Sequence, residues 1–331
     1  MEFANSALDS VDPALAPFLD LQEFQKQLEL LSSSERDWET VGDVRTTVLK
    51  CHPGRRCAFQ VTLRTGDSSR ELIGKVYKKE CPNVIEVMTA IRREGFGDDA
   101  EFSIPRPVAY LPMLRLLLVA KVKGMHAAQV FLDGEARERE MAARRSAMWL
   151  ARFHRLTSIR GEVLSSNEVL HRGFKTCKQL VEGCPSLEAK GQRLLEGLEP
   201  AWKSLVDIPV APGHGDFVPA HVFLASDQVI TVDWDSFILS DPSRDVARFL
   251  LGIRRLAERH LGSIRALDSC AEIFLETYLT EGDERVAKNL PFYMAALCLR
   301  QAKRFVGRKR PRWQERAEAV LDEGLRALGS E

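Results

Sequence analysis

The alternation of apolar and polar positions changes period along this chain. From about residue 38 to 79 the period is near two. Arg45-Thr46-Thr47-Val48-Leu49-Lys50, Ala58-Phe59-Gln60-Val61-Thr62-Leu63 and Glu71-Leu72-Ile73-Gly74-Lys75-Val76-Tyr77 are rich in β-branched and apolar residues. Turn-forming stretches, His52-Pro53-Gly54-Arg55 and Thr65-Gly66-Asp67-Ser68-Ser69, separate them. Three consecutive antiparallel strands are predicted. A helix follows from Val84 to about Glu94, with Asn83 as its N-cap after Pro82 and Ile85, Met88 and Ile91 as its apolar stripe. Ile104 to Tyr110 and Leu114 to Val122 read as two further strands. From 135 onward the period is helical, over 137–156, 174–181, 187–206, 246–260, 265–280, 285–306 and 311–328. Residues 158–170 read as a loop. One stretch breaks this helical half. Val222-Phe223-Leu224 and Val229-Ile230-Thr231-Val232 flank a polar turn, Ala225-Ser226-Asp227-Gln228, and predict a β-hairpin. The pattern divides the chain into an N-terminal extension over 1–36, with a helical pattern from Leu19 to Leu31, a strand-rich part over 37–122 and a helical part over 123–331. The class is α+β.

Composition narrows the function. Forty-seven basic residues balance 47 acidic ones, so nucleic acid is not an expected partner. No run of 18 apolar residues and no signal-like N-terminus appears, which points to a cytoplasmic protein away from membranes. The 7 cysteines form no C-x-x-C pair, so structural zinc is not expected. Cys51 and Cys57 flank a turn and can approach one another across a hairpin, but reduced thiols are the expected state.

The chemistry concentrates between His214 and Asp245, in HGDFVPAHVFLASDQVITVDWDSFILSDPSRD. Gly215 permits a tight loop between His214 and Asp216. The hairpin then brings Asp216 near Asp233 at the end of its second strand. Two carboxylates, each with an ordinary pKa of about 3.9, are both charged at neutral pH and require a cation or a shared proton between them. Mg²⁺ is the common cation for oxygen ligands beside phosphate.

His214-Gly215-Asp216, Asp233 and Asp241-Pro242-x-x-Asp245 together resemble the catalytic core of the aminoglycoside phosphotransferase and choline kinase-like family. The resemblance implies a two-lobed protein-kinase-like fold, with a small antiparallel sheet and a mainly helical second lobe. It implies an ATP-dependent transfer of phosphate to a hydroxyl of a small molecule. In that reading Asp216 is the catalytic base and Asp233 the principal Mg²⁺ ligand. His221 stands where the family has a metal-binding Asn. Imidazole is a poor Mg²⁺ ligand but suits transition metals, so Mn²⁺ is the alternative cofactor, and His221 can bind metal, act through a water or leave one site empty. Lys75 matches the phosphate-binding lysine and Glu86 its helical partner. Backbone groups near Ala120 and Val122 match the adenine contacts. The usual glycine-rich loop is absent. His154 and Asp245 match residues that support the catalytic loop, Asp241 reads as a helix cap, and Trp234 is expected to pack between lobes. Arg304, Arg308, Lys309, Arg310 and Arg312 read as a solvated basic face. No acidic cluster marks a pocket for a polycationic acceptor; Glu272, Glu276, Glu281, Asp283 and Glu284 are the candidates. A monomer or homodimer is expected. The alternative is a nucleotide-binding pseudokinase or regulatory scaffold with a degenerate metal site.

Overall fold

A computed structural model describes residues 43–52, 56–65, 68–78 and 83–329. The expected extension over 1–36, and the middle of the 52–55 turn, lie outside these residues. The chain divides into two compact units, one ending at Lys123 and the other running from Gly124.

The first unit is built on a sheet of order β1-β2-β3-β6-β5. Its strands are β1 (Asp43–His52), β2 (Arg56–Thr65), β3 (Ser68–Tyr77), β5 (Pro107–Leu111) and β6 (Leu116–Ala120), with a two-residue strand β4 (Phe102–Ser103) between helix and β5. Neighbours in this sheet run antiparallel. Alternation sends Phe59, Val61 and Leu63 to one face, where they meet Leu72 and Val76 of β3 and Leu116 and Leu118 of β6. A one-residue slip would turn every one of these side chains to solvent, so the apolar pattern holds the register. Helix α1 (Asn83–Arg93) buries Met88 and Ile91. Register places Cys51 opposite Cys57, with Cα atoms 4.2 Å apart, and the structure joins them in a disulfide. This corrects the expectation of reduced thiols for that pair. Composition argued from the compartment, whereas facing positions in a hairpin bring the two sulfurs together whatever the compartment.

The second unit is helical, with α2 (Ala127–Asp133), α3 (Ala136–His154), α4 (Ser166–Gly183), α5 (Glu188–Lys203), α6 (Ser243–Leu261), α7 (Asp268–Glu281), α8 (Val286–Arg308) and α9 (Trp313–Ala327). Helix α4 begins eight residues before the expected position. Ser165 and Glu168 form a capping box there: the Ser165 hydroxyl accepts from the Glu168 N–H, and the Glu168 carboxylate accepts from the Ser165 N–H. The short α2 carries too few turns to show a period. Between α5 and α6 lie two antiparallel pairs. β8 (Ala211–Gly213) pairs with β11 (Ile238–Ser240), and β9 (Val222–Leu224) pairs with β10 (Val229–Thr231) in the expected hairpin, with β7 (Met125–His126) along β9. The Ala225 N–H donates to the Gln228 carbonyl and closes the turn.

Helix α6 is buried along most of its length. Around it Trp149, Phe153, Phe217, Trp234, Phe249 and Phe274 form a continuous aromatic core. Trp149 stacks on Phe217 at 5.6 Å between centroids, and Phe249 on Phe274 at 4.2 Å. Such pairs add about 0.5–1.5 kcal/mol each beyond the apolar area they bury. Trp234 belongs to this core, against Phe153 and His214. Its indole N–H donates to the Thr231 carbonyl, so the ring is fully satisfied inside the helical unit.

Candidate active site

Strand β8 delivers His214, and the hairpin β9–β10 delivers Asp233 two residues after its end. Between them the chain turns sharply at Gly215, whose φ is +76°. A Cβ at that position would collide with the carbonyl oxygen of Ser236, so only glycine fits. Asp233 is itself left-handed, at φ 72° and ψ 59°. An L-residue held there stores backbone strain, a mark of over-determined functional positions.

Asp245 anchors the turn from below. It is 1% exposed, and its two oxygens accept from the His214 N–H at 2.6 Å and the Gly215 N–H at 3.0 Å. Burial pushes its carboxyl up, yet His154, Arg244 and His214 outweigh burial and hold it below the usual range. The His154 Nδ1 meets the Tyr278 hydroxyl at 2.7 Å, and its Nε2 lies 3.6 Å from Asp245. His214 is fully buried. Its Nε2 donates to the Val232 carbonyl at 3.0 Å and its Nδ1 accepts from the Asp216 N–H at 3.3 Å. Both bonds are satisfied by a neutral ring, and burial lowers its pKa accordingly. His214 is thus a strut of the loop and not a proton carrier. The Asp241 carboxylate accepts from the Ser243 N–H at 2.8 Å, the capping contact expected at the start of α6, and from the Asn289 amide at 2.7 Å.

Asp216, His221 and Asp233 converge. One ligand atom from each lies within 4.8 Å of the others. The His221 Nδ1 donates to the backbone carbonyl of Asp216 at 2.9 Å, because a carbonyl can only accept. That bond turns the Nε2 toward the Asp233 carboxylate, 3.3 Å away. A lone pair facing a carboxylate at this distance is repulsive unless a proton or a metal lies between them. Fixing a ligand imidazole through its second nitrogen is the usual support for a metal-binding histidine.

One functional residue escaped the sequence reading. Arg248, 6% exposed, donates through Nε at 2.9 Å and through Nη2 to the same Asp216 oxygen. Burial pushes the Asp216 carboxyl up, but the Arg248 guanidinium, helped by His221, overcomes it and holds the group far below the usual carboxylate range. The signal was present: Arg248 follows Asp245 by three residues in a helix, and therefore shares the face that meets the loop.

The remaining expected site residues belong to the first unit. Lys75 is half-buried in β3, opposite Ala58 and Leu117. Glu86 is exposed in the first turn of α1. The Ala120 N–H donates to the Arg106 carbonyl at 2.8 Å, while the Val122 N–H has no acceptor among the described residues.

Comparison with known proteins identifies the family and the fold. The model of the phosphotransferase enzyme family (APH) matches residues 54–288. No curated protein sequence matches the chain. Among solved structures, a thermostable aminoglycoside phosphotransferase APH(4)-Ia in a ternary complex with ADP and hygromycin B aligns over 91% of this chain and 97% of its own, with 13% identity and a TM-score of 0.60. A choline/ethanolamine kinase family protein from Mesorhizobium loti aligns over 94% and 95%, with 15% identity and a TM-score of 0.57. A glucosamine kinase bound to glucosamine, ADP and inorganic phosphate aligns over 80% and 77%, with 17% identity and a TM-score of 0.58. At these identities the structures establish the fold, an α+β kinase-like one.

Proposed function

Because the chain belongs to the phosphotransferase enzyme family, we propose that it moves the γ-phosphate of ATP to a hydroxyl of a small molecule. The observation that carries this reading is the convergence of Asp216, His221 and Asp233 at the end of a loop held rigid by Asp245. Neighbours of the same fold are described as complexes with ADP and a hydroxylated acceptor, hygromycin B in one and glucosamine in another.

The donor set fits a divalent cation. Asp233 and the His221 Nε2 face one another with no proton required between them if a metal is bound. Imidazole in the set favours Mn²⁺ over Mg²⁺. When bound, the ion would offset charge on the transferring phosphate. Lys75 would place a compact positive charge on the nucleotide's phosphates, and Val122 would offer a backbone N–H to the adenine.

Asp216 acts mainly by orientation. Its carboxylate is too acidic to take the hydroxyl proton early, but phosphoryl transfer asks little of a base before bond-making is well advanced. The carboxylate accepts the hydroxyl hydrogen and aims the acceptor oxygen at phosphorus. As that P–O bond forms, the β–γ bridging bond breaks, ADP leaves with its electrons, and the proton passes to Asp216. Arg248 fixes the rotamer throughout.

The reading is tested by thermal midpoints with ATP plus Mn²⁺, ATP plus Mg²⁺ and ATP alone, together with ATP turnover across an acceptor panel. A metal-dependent rise lost in Asp233→Ala, and turnover lost in Asp216→Ala, are the expected results. The Arg248 pairing also favours a second reading, a nucleotide-binding pseudokinase in which Asp216 is locked. That reading holds if nucleotide binds and no acceptor is ever phosphorylated.

A further inference from the structure

We propose that the molecule presenting its hydroxyl to Asp216 carries an oxyanion, a carboxylate or a phosphate monoester, received by a cavity lined by Arg172, Arg244 and Arg300. The proposal rests on the phosphotransferase reading and gives it a substrate class.

The cavity lies within the second unit, lined from α4, α6 and α8, and measures about 60 Å³. One water needs about 10–15 Å³ by the same measure, so a carboxylate or phosphate fits. Leu164, Tyr293 and Leu297 are among the uncharged residues of its wall, and no carboxylate among the described residues lines it. Arg172 is exposed and also reaches Glu168 at 3.7 Å, and Arg300 is exposed in part. Arg244 is different. It is 9% exposed, its Nη1 is buried, and that nitrogen makes no hydrogen bond. Its side chain has no hydrogen-bonded or ion-paired partner among the described residues. Asp245, the carboxylate that acts on it electrostatically, spends both oxygens on the loop N–H groups. A guanidinium keeps its charge at neutral pH, so a buried open donor of this kind calls for an anionic acceptor.

The charge around the cavity points the same way. Desolvation, followed by the guanidiniums of Arg248, Arg304 and Arg244, pulls Arg300 down to about 10, and Asp216 acts against that fall. Arg255 is pulled down to about 10 by burial and by Arg248 and Arg304. Arg304, expected on a solvated basic face, is part of this group. Glu258 is paired with Arg316.

Distance ties the cavity to the chemistry. Arg244 and Arg248 sit four residues apart on α6, hence on one face and about 5–6 Å apart at their Cβ atoms. One arginine lines the cavity and the other holds Asp216. An acceptor whose anion sits on Arg244 therefore lies one helical turn from the arginine that holds Asp216. Among the described residues the acidic candidates make no comparable site for a polycation, since the cavity lined by Asp268, Glu272 and Glu323 is also lined by Arg254, Arg265 and Arg326. Glu276, Glu281 and Glu284 are exposed, and Asp283 is paired with Arg285.

The test is calorimetric titration at constant ionic strength with inorganic phosphate, glycerol 3-phosphate, glycerate and glycerol. The proteins are the wild type, Arg244→Met, Arg300→Gln and Arg308→Gln, the last an exposed control. Phosphoryl transfer from ATP is measured in parallel. The expected result is binding of one or both hydroxylated anions, none of glycerol, a tenfold or greater weakening in Arg244→Met and Arg300→Gln, and no change in Arg308→Gln. Which anion binds separates a carboxylate from a phosphate acceptor. Arg300 is exposed in part, so its variant keeps the test valid if Arg244→Met does not fold. Equal binding of glycerol and the anions, no binding of any anion, or full affinity in both arginine variants overturns the proposal. Transfer to neutral or cationic acceptors that is indifferent to Arg244→Met overturns it too, and leaves the phosphotransferase reading standing. Anion binding that needs Arg244, with transfer to no hydroxyl, removes the phosphotransferase reading and leaves the anion site.

Discussion

Asp216 is governed by one neighbour, and that makes its behaviour with pH a sharp test. Its folded pKa lies below the ordinary value of about 3.9. Its contribution to stability is therefore present above that value and is lost as pH falls through the depressed folded value. In the rate profile, no acid limb from Asp216 is expected above about pH 4 in the wild type. In Arg248→Met, burial is opposed by His221 and His214 alone, and the acid limb of kcat/KM moves up by about one unit or more. An unchanged limb would show that Arg248 does not set the basicity of Asp216. His221 makes a second prediction. Substituting His221→Asn exchanges nitrogen for oxygen, so the ratio of activity with Mn²⁺ to activity with Mg²⁺ falls several-fold; a constant ratio places the metal elsewhere. The residues that converge here were legible in sequence because glycine, histidine and aspartates recur at a recognisable spacing. Arg248 and Arg244 were not singled out, because an arginine in a helix reads as solvated until the fold shows which face is buried.

At the scale of elements, the site is two short antiparallel pairs feeding one buried helix. The geometry of the His214–Asp216 turn depends on the first turns of α6. Asp245→Asn keeps the shape but replaces one acceptor with a donor facing a backbone N–H. That leaves a buried group unsatisfied, which costs about 1–3 kcal/mol. A lower thermal midpoint and a fall in kcat of about 10²-fold, from a misplaced Asp216, are expected. Retention of full kcat would mean the loop holds its shape without this anchor. The long helices were readable because each repeats its period several times, and the hairpin β9–β10 because two short apolar runs flank a polar turn. Helix α2 was too short to show one. The early start of α4 was readable in principle, since Ser165-x-x-Glu168 is a capping signature, but it sits inside a stretch of loop-like composition.

For the whole molecule, two units each bury their own core, and sulfur chemistry distinguishes them. The Cys51–Cys57 bridge closes a short loop in the first unit. Cys177, Cys184, Cys270 and Cys298 are buried in the second, and burial pushes the Cys298 thiol up to about 12. A Cys81→Ser variant removes the cysteine outside the described residues. Its native form, kept from reductant, is expected to show no fast-reacting thiol in a titration, with four appearing on unfolding. Dithiothreitol should then lower the stability of the first unit by about 2 kcal/mol, the loop-closure value for so short a bridge. Two fast thiols before any reductant would disprove the bridge. Strand order and helix packing could not be read from the chain, since they depend on pairings between residues far apart in sequence. The register within each hairpin could be, because alternation fixes which face is buried.

The left-handed backbone at Asp233 bears on any attempt to make this protein more robust. Glycine occupies that conformation without the roughly 1–2 kcal/mol that an L-residue spends on it. Random mutagenesis followed by heat challenge, scored only on what stays in solution, would then admit Asp233→Gly among its survivors. Such a library would grow hardier and less active together. Improvement by selection has to be read out on turnover, because at this position the molecule is least comfortable where it is most needed.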